Sequence, residues 1–235
     1  MSLNLLIVEP AALLLLWQPA DEAGQSRARR AVGKITKSED VLEFRYLHGT
    51  TDFDCATAEG FRGFPAFDLK AEATRDGVLE ALVRRLPPRK REDFSKYLER
   101  HCLPSPFAAS DFALLAYTGA RLPSDGFSLV PLFSSEVQVL DYVAEVSGTR
   151  HVFPGDTSSL KIGQIATFVI EPGNPFDPDA VAVYCDARKI GFVNRAMRQT
   201  FNHWLDSRNL TAVICRLNGK PERPLIYLHV SVRLR

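Results

Sequence analysis

The chain has 235 residues, of which 46% are hydrophobic, 24% charged and 10% aromatic. This composition is typical of a globular protein with a packed core, and it excludes a mainly disordered chain, a collagen-like repeat and a coiled coil. The formal net charge is +1, so no global excess of charge indicates a nucleic acid or an anionic membrane as partner.

The charge is nevertheless unevenly distributed. Residues 1–145 carry 17 Lys and Arg against 21 Asp and Glu, whereas residues 146–235 carry 12 against seven. The acidic front part and the basic back part, with net charges of −4 and +5, predict two parts with different partners.

The first seventeen residues are apolar but lack the pattern of a targeting segment. They have no basic n-region, Glu9-Pro10 interrupts them, and the run Ala11–Trp17 is far shorter than the roughly 20 residues that span a bilayer. We predict two short buried strands, Leu5–Val8 and Leu13–Trp17, and a cytoplasmic protein without a membrane partner.

Strand and helix signals follow in the rest of the front part. Strand signals mark Ala31–Ile35 and Val41–Tyr46, the second with clean period-two alternation. Apolar residues at helical spacing predict helices that contain residues 78–86 and 94–98, and a third over Asp111–Thr118. We therefore predict a small β-sheet with several helices.

A basic cluster brackets the helix-stopping Pro87-Pro88. It could contact phosphates, but its acidic neighbours favour a solvated loop; its members are Arg84, Arg85, Arg89, Lys90 and Arg91. Residues 123–136 are predicted as a loop, because Pro, Ser, Asp and Gly concentrate near their start. We place two domains at residues 1–135 and 136–235.

The pattern of the back part predicts a small β-rich domain with one helix over residues 194–207. About six strands in some 95 residues predict a strongly curved sheet or barrel, so that the whole chain is α+β. The predicted strands are Val137–Val146, Lys161–Ile170, Val181–Tyr184, Lys189–Val193, Thr211–Leu217 and Leu225–Val232.

Three segments of the back part carry a family pattern. They are Gly148-Thr149-Arg150-His151, the loop EPGNPFDPDA over residues 171–180, and IGFVNR over residues 190–195. In this order and spacing they resemble the HIRAN domain, over roughly residues 140–235. That domain is best known in Swi/Snf-type helicases that remodel stalled replication forks, and it also occurs in bacterial and phage proteins.

The resemblance implies an OB-like six-stranded barrel that captures the 3′ end of single-stranded DNA. Arg150 matches a DNA-contacting arginine, and His151 stands where the helicase version has a base-stacking tyrosine. Asn174, Phe176 and Asp177 match the loop that stacks the terminal base and binds the 3′-hydroxyl. Arg195 lies near the position of a phosphate-contacting lysine.

The chemistry of these residue types agrees with that implication. Single strands are held by aromatic faces under bases, each worth roughly 1–3 kcal/mol, and by cations along the backbone. Phe176 can supply the face, and the cations can come from Arg150, Arg195 and Arg198. Three structural alternatives stay open: Phe176 as a core plug under its loop, Asp177 as an acceptor for backbone amides of that loop, and Asn174 as a turn former with a purely structural role.

The front part has a weaker resemblance to the amino-terminal β-subdomain of HipA-type toxin kinases. The matching pieces are Trp17-Gln18, Arg27–Arg30, Val32-Gly33-Lys34-Ile35, the Leu42–Tyr46 segment and Gly63-Phe64-Pro65. The sequence lacks the glycine-rich phosphate loop, the catalytic loop and the metal-binding aspartate motif of kinases, so kinase activity is not implied. We expect this part to mediate a protein contact.

Other chemistry finds little support in the sequence. It contains no H-E-x-x-H, G-x-S-x-G or Walker motif, and the four cysteines, Cys55, Cys102, Cys185 and Cys215, are too far apart for a zinc motif. We predict a protein that binds single-stranded DNA, without cofactor, metal or catalysis. A DNA-processing hydrolase is the minority alternative. The second functional class is a regulatory or interaction module of toxin–antitoxin, DNA-repair or antiphage type.

Overall fold

The computed structural model describes residues 5–19, 28–39, 41–122, 124–152, 159–220 and 223–235. Arg27 of the HipA-like pattern and Pro123 of the predicted loop lie outside these ranges. The strands are β1 Ala12–Trp17, β2 Arg30–Ser38, β3 Val41–Tyr46, β4 Phe127–Leu132, β5 Leu140–Glu145, β6 Ile165–Ile170, β7 Val181–Cys185, β8 Arg188–Phe192, β9 Asn209–Lys220 and β10 Arg223–Arg233. The helices are α1 Thr51–Ala58, α2 Val78–Val83, α3 Phe94–Arg100, α4 Asp111–Thr118, α5 Thr149–Val152 and α6 Arg198–Ser207, with a 3₁₀ turn at Arg195–Met197.

The described residues divide into two compact units. The sheet unit contains those within Glu9–Tyr97 and Phe107–Ser134. The barrel unit contains those within Met1–Val8, Leu98–Pro106 and Ser135–Arg235. The predicted α+β class is confirmed, because each unit is built on an antiparallel sheet with helices beside it.

The sheet unit is built on four antiparallel strands in the order β3-β2-β1-β4. The central strand β1 is almost wholly apolar, and Leu13 and Leu15 have no exposed surface. The prediction of a loop over residues 123–136 is wrong, because β4 lies within it and pairs with β1. Pro131 obscured this strand, and it is tolerated there because β4 is at the edge of the sheet.

Aromatic packing explains the Val-Gly-Lys-Ile pattern of β2. A Cβ on Gly33 would lie 2.5 Å from the ring of Phe44 on β3, so only glycine leaves room for that ring. Phe44 in turn stacks on Phe67 at 4.3 Å between centroids. The buried hydroxyl of Tyr46 donates to the Phe67 carbonyl at 2.9 Å and accepts from the Phe64 amide at 2.8 Å.

The basic cluster around Pro87-Pro88 is not simply a solvated loop. Arg85 is only 7% exposed, and its guanidinium makes a bidentate pair with Asp125 at 2.7 and 2.9 Å. It also donates to the carbonyls of Ala120 and Phe127. Arg85 therefore holds the chain that leads into β4, and the prediction is wrong for this residue.

The barrel unit contains a six-stranded sheet in the order β5-β10-β9-β6-β7-β8. Its two edge strands meet at one bridge, where Ser147 and Phe192 exchange backbone hydrogen bonds of 2.7 and 2.8 Å. A Cβ on Gly191 would lie 2.5 Å from the Ser147 carbonyl oxygen, so glycine is required beside the bridge. The predicted OB-like fold is thus confirmed, although no continuous ladder joins the two edges in the part of the chain that the structure describes.

The predicted strand at Leu5–Val8 is wrong, since this segment has no strand assignment. It is fastened to β5 instead: the Leu6 amide donates to the Asp141 carboxylate at 2.8 Å, and the Asp141 amide donates to the Leu6 carbonyl at 2.9 Å. The buried Asp141 also accepts from Ser231 and Arg233. One side-chain and one backbone hydrogen bond of Asp141 therefore hold this segment, in place of a ladder of strand hydrogen bonds.

Candidate nucleic-acid interface

The loop over residues 171–180 connects β6 to β7 and is held in shape by Asn174. The side-chain oxygen of Asn174 accepts from the amides of Phe176 and Asp177 at 3.0 and 3.3 Å. Its amide nitrogen donates to the Glu171 carboxylate at 3.2 Å. All three contacts are internal to the loop, so Asn174 fixes the positions of the two residues that follow Pro175.

Glu171 fastens this loop to the sheet. Its carboxylate accepts two hydrogen bonds from Lys189 on β8, at 2.7 and 2.8 Å, and one from the Tyr184 hydroxyl on β7. The hydrogen bond from Lys189 lowers the pKa of Glu171 more than partial burial raises it. The ammonium group of Lys189 also lies 4.2 Å from the ring centroid of Phe192.

Phe176 projects from the loop into solvent and is 94% exposed. The alternative of a core plug is therefore wrong for this residue. A large apolar ring on a backbone that Asn174 holds in place is a surface feature that packing within the barrel unit does not explain.

Asp177 lies between the loop and the start of α6. Its Oδ2 accepts from Arg198 Nη1 at 2.6 Å and is 3.8 Å from Arg195 Nε, while its Oδ1 accepts from the Asp179 amide at 3.1 Å. The alternative that Asp177 accepts from backbone amides of its own loop therefore holds for one carboxylate oxygen, Oδ1. The other oxygen places an acidic acceptor next to two arginines.

Arg150 and His151 lie on α5, a single helical turn where the sequence indicated the end of a strand. Both side chains are exposed, and Arg150 Nε donates to His151 Nε2 at 2.9 Å. A Cβ on Gly148, just before α5, would lie 3.5 Å from the Phe192 ring.

The structure brings parts of the three sequence segments together. Asn174, Phe176 and Asp177 share the loop, Arg195 and Arg198 border it, and Ser147, just before Gly148, pairs with Phe192. Sequence reasoning missed Lys189, which ties the loop to β8. The sequence signal that could have indicated this contact is the pair of opposite charges, Glu171 before β7 and Lys189 after it.

An exposed aromatic ring, several cations and one carboxylate on an OB-like sheet are the groups that hold a single nucleic-acid strand. Within the ranges that the structure describes, no group of three or more His, Cys, Asp or Glu side chains could hold a metal ion. Among the same residues, no helix is long and apolar enough to cross a membrane. The structure thus defines an OB-like barrel unit that carries an exposed aromatic ring and paired cations on and beside one loop.

Among known protein families, the model of the HIRAN domain matches residues 139–235, which lie within the barrel unit. HIRAN domains bind DNA. The predicted HIRAN resemblance is therefore confirmed, whereas the HipA-type resemblance of the front part stays a prediction.

Two solved structures are similar to part of the chain. The HIRAN domain of human HLTF is 16% identical, with 39% of this chain and 74% of that chain covered and a TM-score of 0.31. A protein from Lactobacillus plantarum is 22% identical, with 40% of this chain and 93% of that chain covered and a TM-score of 0.34. The search among curated proteins gave no match.

Proposed function

We propose that the barrel unit binds single-stranded DNA at 3′ ends, with the terminal base stacked on Phe176. The observation that carries this proposal is the 94% exposure of Phe176 on a loop that Asn174 and Glu171 hold in place. A preordered aromatic face binds a base without the entropic cost of first ordering a loop.

The groups around Phe176 support recognition of an end rather than of a continuous strand. A terminal 3′-hydroxyl can donate to Asp177, whose oxygens retain lone pairs beside the hydrogen bonds already made. A phosphate at the same point would meet a carboxylate. We assign contacts with the preceding phosphates to Arg195 and Arg198, the two arginines beside Asp177.

We include Arg150 and His151 in the proposed surface, because they follow closely on Ser147, which pairs with Phe192. Arg150 supplies a cation on an exposed helical turn, and the imidazole of His151 supplies a smaller stacking face. We assign to them contacts with nucleotides further from the end, where stacking tolerates any base.

The remaining parts of the proposal concern the whole chain. We propose domains at residues 1–135 and 136–235, with the front domain mediating a protein contact, and a cytoplasmic, non-catalytic protein.

The test is fluorescence anisotropy with a labelled oligonucleotide that ends in a 3′-hydroxyl. Phe176→Ala should weaken binding roughly 5- to 150-fold, the loss of one stacked base. Ile165→Ala is the matched control, because Ile165 is an exposed apolar residue on β6 of the same unit, and it should leave the affinity unchanged. Equal affinities of wild type and a folded Phe176→Ala variant would overturn the proposed site. Absence of DNA binding would favour the interaction-module alternative.

A further inference from the structure

An arginine and a tyrosine of the β9–β10 hairpin lie together on the outer face of the barrel sheet, the face opposite the core. Along β10, Ile226 and Leu228 are buried, whereas Tyr227 between them is half-buried and faces outward. Arg216 on β9 pairs with Tyr227 in the ladder. The central guanidinium carbon of Arg216 is 5.0 Å from the centroid of the Tyr227 ring, which is the geometry of a cation–π contact.

A β-bulge places Arg216 on that face. Ile214 is buried, so a regular strand would turn Arg216, two residues later, toward the core. The ladder between β9 and β10 instead shifts by one residue between Tyr227 and Leu228. Cys215 is the extra residue of the bulge, and Arg216 faces outward beside Tyr227. Bulges that re-aim a side chain in this way are common beside functional sites.

The outer face continues from this pair to the candidate interface. Tyr227 pairs with Glu145 on β5, and two residues further along the chain Ser147 makes the bridge to Phe192. The Phe192 ring lies 4.2 Å from the ammonium of Lys189, which fastens the loop of the candidate interface. With strands about 4.8 Å apart and about 3.3 Å per residue, Tyr227 and Phe192 are on the order of 12 Å apart along the sheet. The pair is therefore within reach of the same nucleic-acid strand.

The chemistry of this surface suits a base rather than a phosphate. A guanidinium held over an aromatic ring is a flat cation on which a base can stack, with a contribution from cation–π attraction. Glu145, the partner of Tyr227 on β5, disfavours a phosphate at this point because like charges repel. A single strand that crosses this surface should therefore turn its bases toward the sheet and its phosphates away from it.

We propose that Arg216 and Tyr227 form a second stacking position for single-stranded DNA, a few nucleotides from the 3′ end. This inference rests on the proposed function and adds the direction of the strand, which runs from the terminal base at Phe176 across the bridge between Ser147 and Phe192 to the β9–β10 hairpin. An internal base stacks on the Arg216 guanidinium, which the Tyr227 ring supports. The position accepts any base, because every base has a flat face.

The test is photo-crosslinking of the full, unmodified chain to a 3′-hydroxyl oligothymidylate of roughly ten nucleotides, a length that one OB-like barrel can cover. One 5-iodouracil is placed in turn at each position, and the crosslinked tryptic peptides are identified by mass spectrometry. We expect the terminal position to label the peptide of residues 162–188, which contains Phe176. We expect an internal position to label Tyr227 in the peptide of residues 217–233.

The two peptides separate this inference from the proposed function. If residues 162–188 are labelled and residues 217–233 are labelled from no position, the second stacking position is overturned while the proposed site of the terminal base stands. Labelling of Tyr227 without residues 162–188 would support the second stacking position and contradict the proposed site of the terminal base. If neither peptide is labelled, both proposals fail.

Variants of the pair distinguish stacking from a structural role. Tyr227→Leu should weaken binding of the same oligonucleotide roughly 5- to 150-fold, the loss of one stacked base, and Tyr227→Phe should recover the lost affinity because it restores the ring. Arg216→Lys keeps the charge but not the flat guanidinium, so it should also weaken binding. Full affinity in a folded Tyr227→Leu or Arg216→Lys variant would overturn the stacking role. Because the crosslinking uses the unmodified sequence, a variant that fails to fold does not affect that outcome.

Discussion

Arg198 Nη1 donates a 2.6 Å hydrogen bond to Oδ2 of Asp177, and this contact ties the start of α6 to the loop over residues 171–180. The carboxylate lies close to the exposed ring of Phe176 in sequence and close to Arg195 in space. In the proposed function this carboxylate is balanced by the two arginines and accepts a hydrogen bond from a terminal hydroxyl, whereas an unbalanced carboxylate would repel phosphate.

The preference for a 3′-hydroxyl over a 3′-phosphate should depend on Asp177. Asp177→Asn removes the negative charge and presents a donor to phosphate, so the preference should fall by roughly 10-fold, the worth of one charged hydrogen bond. Anisotropy with the two oligonucleotides measures it. Asp186→Asn, at the turn between β7 and β8, is the control and should keep the preference. An unchanged preference in Asp177→Asn would mean that this carboxylate serves only its loop.

The salt dependence of binding should report the cations of the interface. Each phosphate contact contributes about 0.7 to the slope of log affinity against log salt for a single strand. Arg150→Gln should therefore reduce the slope by roughly that amount and weaken binding at low salt. Lys220→Gln, at the end of β9, is the comparison and should not change it. A slope that falls equally in both variants would indicate a general basic surface.

The bridge that joins the edges of the sheet should be sensitive to a single methyl group. In Gly191→Ala the new Cβ would lie 2.5 Å from the Ser147 carbonyl oxygen, so the bridge must move, at a cost of about 1–3 kcal/mol in the free energy of unfolding. Gly173→Ala is the control, because a Cβ added at Gly173 would meet no atom within 4 Å. Chemical denaturation of both variants measures the difference, and equal stabilities would contradict the role of the bridge.

Asp141 should make stability depend on pH in the acidic range. Burial alone would raise its pKa, but hydrogen bonds from the Leu6 amide, Ser231 and Arg233 outweigh burial and lower the pKa below its ordinary value. A lowered pKa gives stability that is present above the unfolded-state pKa and is lost as pH falls through the folded-state pKa. The advantage of wild type over Asp141→Asn in unfolding free energy should therefore shrink on acidification below about pH 4. A difference in unfolding free energy between wild type and Asp141→Asn that does not change with pH would contradict this role of the Asp141 carboxylate.

Most strands of the barrel unit were predictable, because their apolar residues recur with the spacing of half-buried strands. Two predictions elsewhere failed, each for a physical reason. Pro131 sits in the edge strand β4 of the sheet unit, where its missing amide donor is harmless, and a turn-like composition hid that strand. Leu5–Val8 has strand-like residues, but the Asp141 side chain takes the place of a pairing strand.

The loop residues of the candidate interface were predictable from their family pattern, but their geometry was not. Nothing local in the sequence indicates that Phe176 is exposed or that Lys189 holds Glu171. Local patterns predict elements, whereas pairs of this kind appear only when the elements are assembled.

The most direct measurement of the central claim compares the affinity of the full chain for two otherwise identical single-stranded oligonucleotides, one with a 3′-hydroxyl and one with a 3′-phosphate, across a salt series. We predict tighter binding of the hydroxyl end at every salt concentration, with the preference reduced in Asp177→Asn and both affinities reduced in Phe176→Ala. Equal, steeply salt-dependent binding of the two oligonucleotides would contradict recognition of the 3′ end.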